Sequence, residues 1–207
     1  MFQVQRFPSE KFTSNVYSVR HLTYPDIYLI DCGGFSKIRA SLSTEQKIAG
    51  IFLTHYHYDH IYYLSQWISE FPDLMVWGSK QTLEGLLDAK RNLSYYHQDP
   101  IETAPSKLSI LQDNEVVNLV ENALSITAYE TEGHCEGSLT FAIEHFLFTG
   151  DVLIPNIGTV TKLKTGNKEK AKRSIQKINK LGTSDSIICP GHLEMISYSQ
   201  VNWSLYL

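Results

Sequence analysis

Cysteine is scarce in this chain of 207 residues, with only Cys32, Cys135 and Cys189. An odd count without a C-x-x-C spacing argues against a disulfide framework and reads as reduced thiols in a cytoplasm. Long apolar runs are lacking too, since none approaches the roughly 18 residues that span a bilayer. The stretch Met1–Pro8 has no basic region followed by an apolar one, so no secretion signal is expected. The net charge is −4, and neither a nucleic acid nor a membrane surface is an expected partner. Low-complexity segments, short repeats and linkers are absent. What remains is 43% hydrophobic and 19% charged, the balance of an ordinary globular protein and enough for one domain over 1–207.

Several apolar runs end abruptly at polar residues. Ile27–Ile30 ends at Asp31, with Gly33 and Gly34 next. Ile51–Leu53 ends at Thr54–His55, and Leu124–Tyr129 leads to Gly133–His134. Phe146–Phe148 ends at Gly150–Asp151, and Ile187–Cys189 at Pro190–Gly191–His192. These runs are short and rich in β-branched or aromatic residues, so each predicts a buried strand. Helices are expected over Ser43–Ala49, Asp59–Phe71, Ser79–Lys90 and Asn167–Leu181, the last with Ile175, Ile178 and Leu181 on one face. Strands and helices therefore mix throughout, which predicts an α/β class with helices covering sheets. The stretch Arg91–Lys107, with Tyr95, Tyr96, His97, Pro100 and Pro105, breaks periodicity and reads as a long surface loop. It is either an irregular connection or a substrate lid.

The densest chemistry lies in Thr54-His55-Tyr56-His57-Tyr58-Asp59-His60, which holds three histidines and an aspartate within six positions. An isolated histidine is usually a surface or core residue, but four metal-type side chains at one strand end read as ligands. His55 and His57, two apart on extended backbone, point the same way. Asp59 and His60 lie past a turn, where a helix begins. Imidazole suits zinc, and a carboxylate adds charge. Gly133–His134, Gly150–Asp151 and Gly191–His192 each follow a strand, and glycine lets the chain bend sharply ahead of the next side chain. Together the candidates are His55, His57, Asp59, His60, His134, Asp151 and His192. That is too many for one tetrahedral zinc and suits two ions sharing a carboxylate and a water.

The order H-x-H-x-D-H, G-H, G-D, P-G-H resembles the metallo-β-lactamase superfamily, in its glyoxalase II-like branch, from about Asp31 to His192. The resemblance implies a four-layer αββα sandwich with two metal ions, zinc being expected and iron or manganese the alternatives. His55, His57 and His134 would hold the first ion; Asp59, His60 and His192 the second; Asp151 would bridge them. Asp31 would support the site from behind. A bridging hydroxide would attack a small thioester, ester or lactone, with Asp59 orienting it, and no protein nucleophile is needed. No G-x-S-x-G elbow offers a serine route.

Two departures qualify that picture. The family's G-H motif usually continues Thr-Pro-Gly-Ser, whereas here it continues Cys135-Glu136-Gly137-Ser138. Cys135 reads as a packed thiol, with a redox role as the other reading. The chain also ends soon after His192, so the helical C-terminal domain of glyoxalase II is not expected and a strict glutathione thioesterase is not the leading expectation. Lys162 and Lys164 are either a solvated pair or a contact for a substrate carboxylate. The leading expectation is a cytoplasmic hydrolase of a small-molecule substrate. The alternatives are an oxidoreductase with a single iron, like the persulfide dioxygenases, and a β-lactam hydrolase. His21, His97 and His145 are expected at the surface or in structural roles, and Trp67 and Trp77 in the core.

Overall fold

The structure is a computed structural model that describes residues 1–121 and 123–206. Contacts divide the chain into two units, Met1–Ile110 and Leu111–Leu207, and each owns one six-stranded sheet.

In the first unit the elements run β1 (Phe2–Pro8), β2 (Asn15–His21), β3 (Asp26–Ile30), α1 (Ser36–Ser41), β4 (Lys47–Phe52), α2 (Tyr58–Ile61), α3 (Leu64–Glu70), β5 (Met75–Gly78), α4 (Lys80–Gly85) and β6 (Leu108–Ile110). Sheet order follows chain order. The first three strands pair antiparallel through short links, and β3 to β6 pair parallel. The parallel links are the ones that carry helices, because a parallel return must cross the whole sheet. Leu29, Ile51, Ile61, Leu64, Trp67 and Val76 meet in the core of this unit. Each such side chain contributes about 1.5–3 kcal/mol of burial energy.

The second unit runs β7 (Val116–Val120), β8 (Leu124–Glu130), β9 (Leu139–Ile143), β10 (Phe146–Gly150), α5 (Lys168–Leu181), β11 (Ile187–Pro190) and β12 (Ile196–Ser197). Its sheet is antiparallel except for the β10–β11 pair, which α5 connects. Ile175 and Ile178 of α5 pack on Leu147, Val152 and Ile188. The Asn167 side chain caps α5 by accepting from the Lys170 amide at 2.9 Å.

All five predicted strands are present, with small boundary shifts, and α5 matches its expected span. The helix expected over Ser43–Ala49 is not there. A turn occupies Thr44–Glu45, and Lys47 already belongs to β4, because Ile48 and Ile51 are drawn into the core. The helix expected over Asp59–Phe71 is broken into α2 and α3. The His60 carbonyl accepts from the Cys32 amide at 2.8 Å, and the Tyr63 amide donates to the Cys32 carbonyl at 3.1 Å, so a neighbouring loop takes the bonds a continuous helix would use. The helix expected over Ser79–Lys90 shortens to α4, capped by Ser79. Trp67 is fully buried, whereas Trp77 is half-buried and stacks on Phe52 at 4.4 Å. The three thiols are free and buried. No helix among the described residues is long and apolar enough to cross a membrane.

Candidate metal centre

In the first unit, β4 ends at Phe52, the chain bends at Thr54, and His57, on extended backbone, is the N-terminal flank of α2. Alternation along that stretch sends His55 and His57 one way, with ring centroids 4.8 Å apart and nearly perpendicular. Tyr56 between them turns the other way, against Gly85. All of His55, His57 and His60 are buried, and Asp59 is half-buried.

Asp31 organises this stretch. It sits at the end of β3 with φ of 59°, a left-handed conformation that costs a non-glycine residue energy but that aspartate tolerates better than most. Its carboxylate accepts from the Thr54 amide, the Thr54 hydroxyl and His60 Nδ1, each at 2.8 Å. With the single hydroxyl hydrogen of Thr54 committed to Asp31, that oxygen accepts from His55 Nδ1 at 3.0 Å. Asp31 thus fixes the tautomers of two histidines, one directly and one through Thr54. In the neutral form of each, Nε2 carries no proton, as imidazole requires to bind metal. Donor atoms of Asp31, His55 and His60 all lie within 4.8 Å of one another.

In the second unit, His134, Asp151 and His192 follow β8, β10 and β11 respectively. Gly133 and Gly150, each just before a candidate ligand, take positive φ of 136° and 52°. Gly191 does not, contrary to the uniform glycine turn expected from sequence; its amide instead donates to the Gly150 carbonyl at 2.8 Å and ties two turns together. His134 Nδ1 donates to the Val160 carbonyl at 3.0 Å, so in its neutral form Nε2 carries no proton either.

The spacing of the donors fits an ion better than a hydrogen bond. His192 Nε2 lies 3.4 Å and His134 Nε2 3.6 Å from Asp151 Oδ2, and His60 Nε2 lies 3.6 Å from Asp59 Oδ2. Two atoms each bound at 2.0–2.1 Å to a tetrahedral zinc stand about 3.3 Å apart. Nitrogen and carboxylate oxygen are the donor types that zinc and iron both accept.

Sequence reasoning gave Thr54 no role and did not find the Val160 carbonyl, which only the folded loop brings to His134. It also missed Glu132, whose carboxylate accepts from the Gly137 amide at 2.9 Å and from Lys170 Nζ at 2.6 Å. Burial would raise that carboxyl, but the Lys170 ammonium and the Gly137 amide outweigh it and hold it below the usual range. Cys135 is a buried thiol 3.2 Å from the Ser138 hydroxyl. Lys162 and Lys164 are exposed, as are His97 and His145.

The profile of the Metallo-beta-lactamase superfamily matches residues 12–192. The chain belongs to this superfamily. Among curated superfamily relatives, a hydroxyacylglutathione hydrolase of Salmonella typhi is 28% identical over 165 residues, 79% of this chain and 56% of that protein. The chain spans 57% to 66% of the length of other hydroxyacylglutathione hydrolases it matches, from Erwinia tasmaniensis and Tolumonas auensis. Among solved structures, BLEG-1 B3 metallo-beta-lactamase superposes with a TM-score of 0.82 at 24% identity, covering 96% of this chain and 95% of that one. TTHA1623, solved in a di-iron-bound form, gives 0.74 at 20% identity, covering 90% and 91%. These likenesses establish the expected α/β metallo-β-lactamase fold.

Proposed function

We propose that the chain is a metal-dependent hydrolase that binds two ions, zinc by preference, and cleaves a small thioester, ester or lactone. His55, His57 and His134 would hold the first ion, Asp59, His60 and His192 the second, and Asp151 would be shared. One observation carries the reading. Hydrogen bonds to Asp31, Thr54 and the Val160 carbonyl place the proton of neutral His60, His55 and His134 on Nδ1, and the histidine Nε2 atoms of His60, His134 and His192 lie 3.4–3.6 Å from a carboxylate oxygen. Ions bound there would lower the pKa of a water and polarise the substrate carbonyl. The protein's own part is to orient. Asp59 would align the attacking water, and the buried histidines would keep bulk water from the donors.

A thioester is the first substrate class to try, since the curated relatives are hydroxyacylglutathione hydrolases. β-Lactam cleavage is the second reading, favoured by the near-complete mutual coverage with the B3 enzyme. The test is elemental analysis of the purified protein, with His57→Ala as control, followed by a panel of thioesters, lactones and β-lactams. Two zinc per chain, reduced in the variant, with turnover of one class, supports the reading. One iron per chain and no hydrolysis would overturn it in favour of single-iron oxidation chemistry.

A further inference from the structure

We propose that Glu132 is a positioning residue that, with Lys170, fixes His134 for metal binding. The inference rests on the reading of His134 as a ligand. The turn carrying His134 continues Cys135-Glu136-Gly137, with no proline to lock φ and stiffen the chain. Its rigidity comes instead from bonds that converge on Glu132. The Oε1 atom accepts from the Gly137 amide at 2.9 Å, which closes the turn from Glu132 to Gly137 around His134. The Oε2 atom accepts from Lys170 Nζ at 2.6 Å, and the main-chain carbonyl of the same residue accepts from the Ser174 hydroxyl at 2.6 Å. Both carboxylate oxygens are thereby engaged in holding the turn.

Lys170 and Ser174 lie one turn apart on α5, so Glu132 grips a single helix face with its side chain and its backbone. The next residue reinforces the contact. A Cβ on Gly133 would fall 2.2 Å from the Ala171 nitrogen, and the Gly133 carbonyl accepts from the Asn167 amide at 2.8 Å. A long helix packed on its own sheet is a firm base, and the clamp transfers that firmness to the backbone of His134. The Val160 carbonyl then sets the ring. A ligand held only by a glycine-flanked turn would sample positions off the metal, and outer partners of this kind are worth about 10- to 100-fold in metal affinity.

The test is zinc affinity, by competition with a chromophoric chelator, on the full chain and on Glu132→Ala, Glu132→Gln, Lys170→Met and His134→Ala. Wild type should take two zinc ions. Glu132→Ala should weaken one of them by about 10-fold or more and leave the other within twofold. Glu132→Gln keeps an acceptor for the Gly137 amide and should weaken the same ion less. Lys170→Met changes a half-exposed side chain and tests the clamp even if Glu132→Ala folds poorly. It should also weaken that ion alone. His134→Ala should abolish binding of that ion. If Glu132→Ala and Lys170→Met hold both ions within twofold while His134→Ala loses one, the clamp is wrong and the ligand reading stands. If both ions weaken together in step with a lower melting temperature, Glu132 is merely structural and the proposal fails. If His134→Ala keeps both ions, the ligand assignment itself is wrong.

Discussion

Thr54 has one hydroxyl hydrogen and two demands on its oxygen. It donates to Asp31 Oδ2 at 2.8 Å and stands 3.0 Å from His55 Nδ1, which makes it the relay between a strained aspartate and a buried histidine. Thr54→Val keeps the shape and removes the relay. The Thr54 amide bond to Asp31 survives, but His55 Nδ1 is left buried without its acceptor, which costs about 1–3 kcal/mol of metal-free stability. Zinc affinity is expected to fall about 10-fold or more, read by chelator competition. An unchanged affinity would show that the His55 tautomer is not set through Thr54. Sequence spacing found His55, His57, Asp59 and His60 because four donors crowd six positions. It could not find the Thr54 relay, which exists only because β3 and β4 lie side by side and bring residue 31 under residue 54.

At the scale of elements, the stretch Arg91–Lys107 is pinned at several points, which a free lid would not be. It contains a 3-10 turn, Ser94–His97, and the buried Asn92 donates to the carbonyls of Gly85 and Ile101 at 3.1 and 2.8 Å. The Tyr58 hydroxyl donates to Asp99 at 2.8 Å, and its ring stacks on His97 at 4.7 Å. Burial, then the bond to Asp99, pushes the Tyr58 phenol up to about 12, so it stays a donor at neutral pH. Tyr58→Phe removes that bond and the longer one, at 3.5 Å, that the hydroxyl accepts from Lys11 Nζ. Faster proteolytic cleavage within 91–107, with the melting temperature nearly unchanged, is the expected result, and equal cleavage rates would mean the other anchors suffice. Periodicity could mark this stretch as irregular but could not see anchors that depend on partners far along the chain. Asp113 offers a second element-level test. Burial raises its carboxyl, but the bond from Lys177 of α5 and the Glu130 amide at 2.8 Å pull it below the ordinary value of 3.8. A depressed carboxyl gives stability that is present above pH 3.8 and fades as pH falls through the lower folded value. Asp113→Asn should therefore lose stability at pH 7, by under about 1 kcal/mol given its exposure, and show a shallower acid limb in urea titrations. Parallel acid limbs would remove Asp113 from that account.

For the whole molecule, the sequence was most readable where burial is strongest. The runs Ile27–Ile30, Phe146–Phe148 and Ile187–Cys189 became β3, β10 and β11, because apolar β-branched and aromatic residues have one place to go. It was least readable where tertiary bonds override local preference, as when Cys32 splits α2 from α3 or when Lys47 and Ile48 leave a helical pattern for β4. The candidate ligands follow strand ends in both units, His55 to His60 in one and His134, Asp151 and His192 in the other. Under the proposed function zinc binds the folded chain, so it should raise the melting temperature. Ligand binding to the folded state adds about 4.1 kcal/mol at a thousandfold excess over the dissociation constant. For a chain of this size that is on the order of 10 °C in melting temperature. Circular dichroism melts of chelator-treated protein, with and without added zinc, read this directly. His57→Ala removes one donor and should lose most of the increment while melting like wild type without metal. An equal zinc-dependent rise in wild type and His57→Ala would mean that zinc stabilises the fold from some other place, and the shared centre would have to be abandoned.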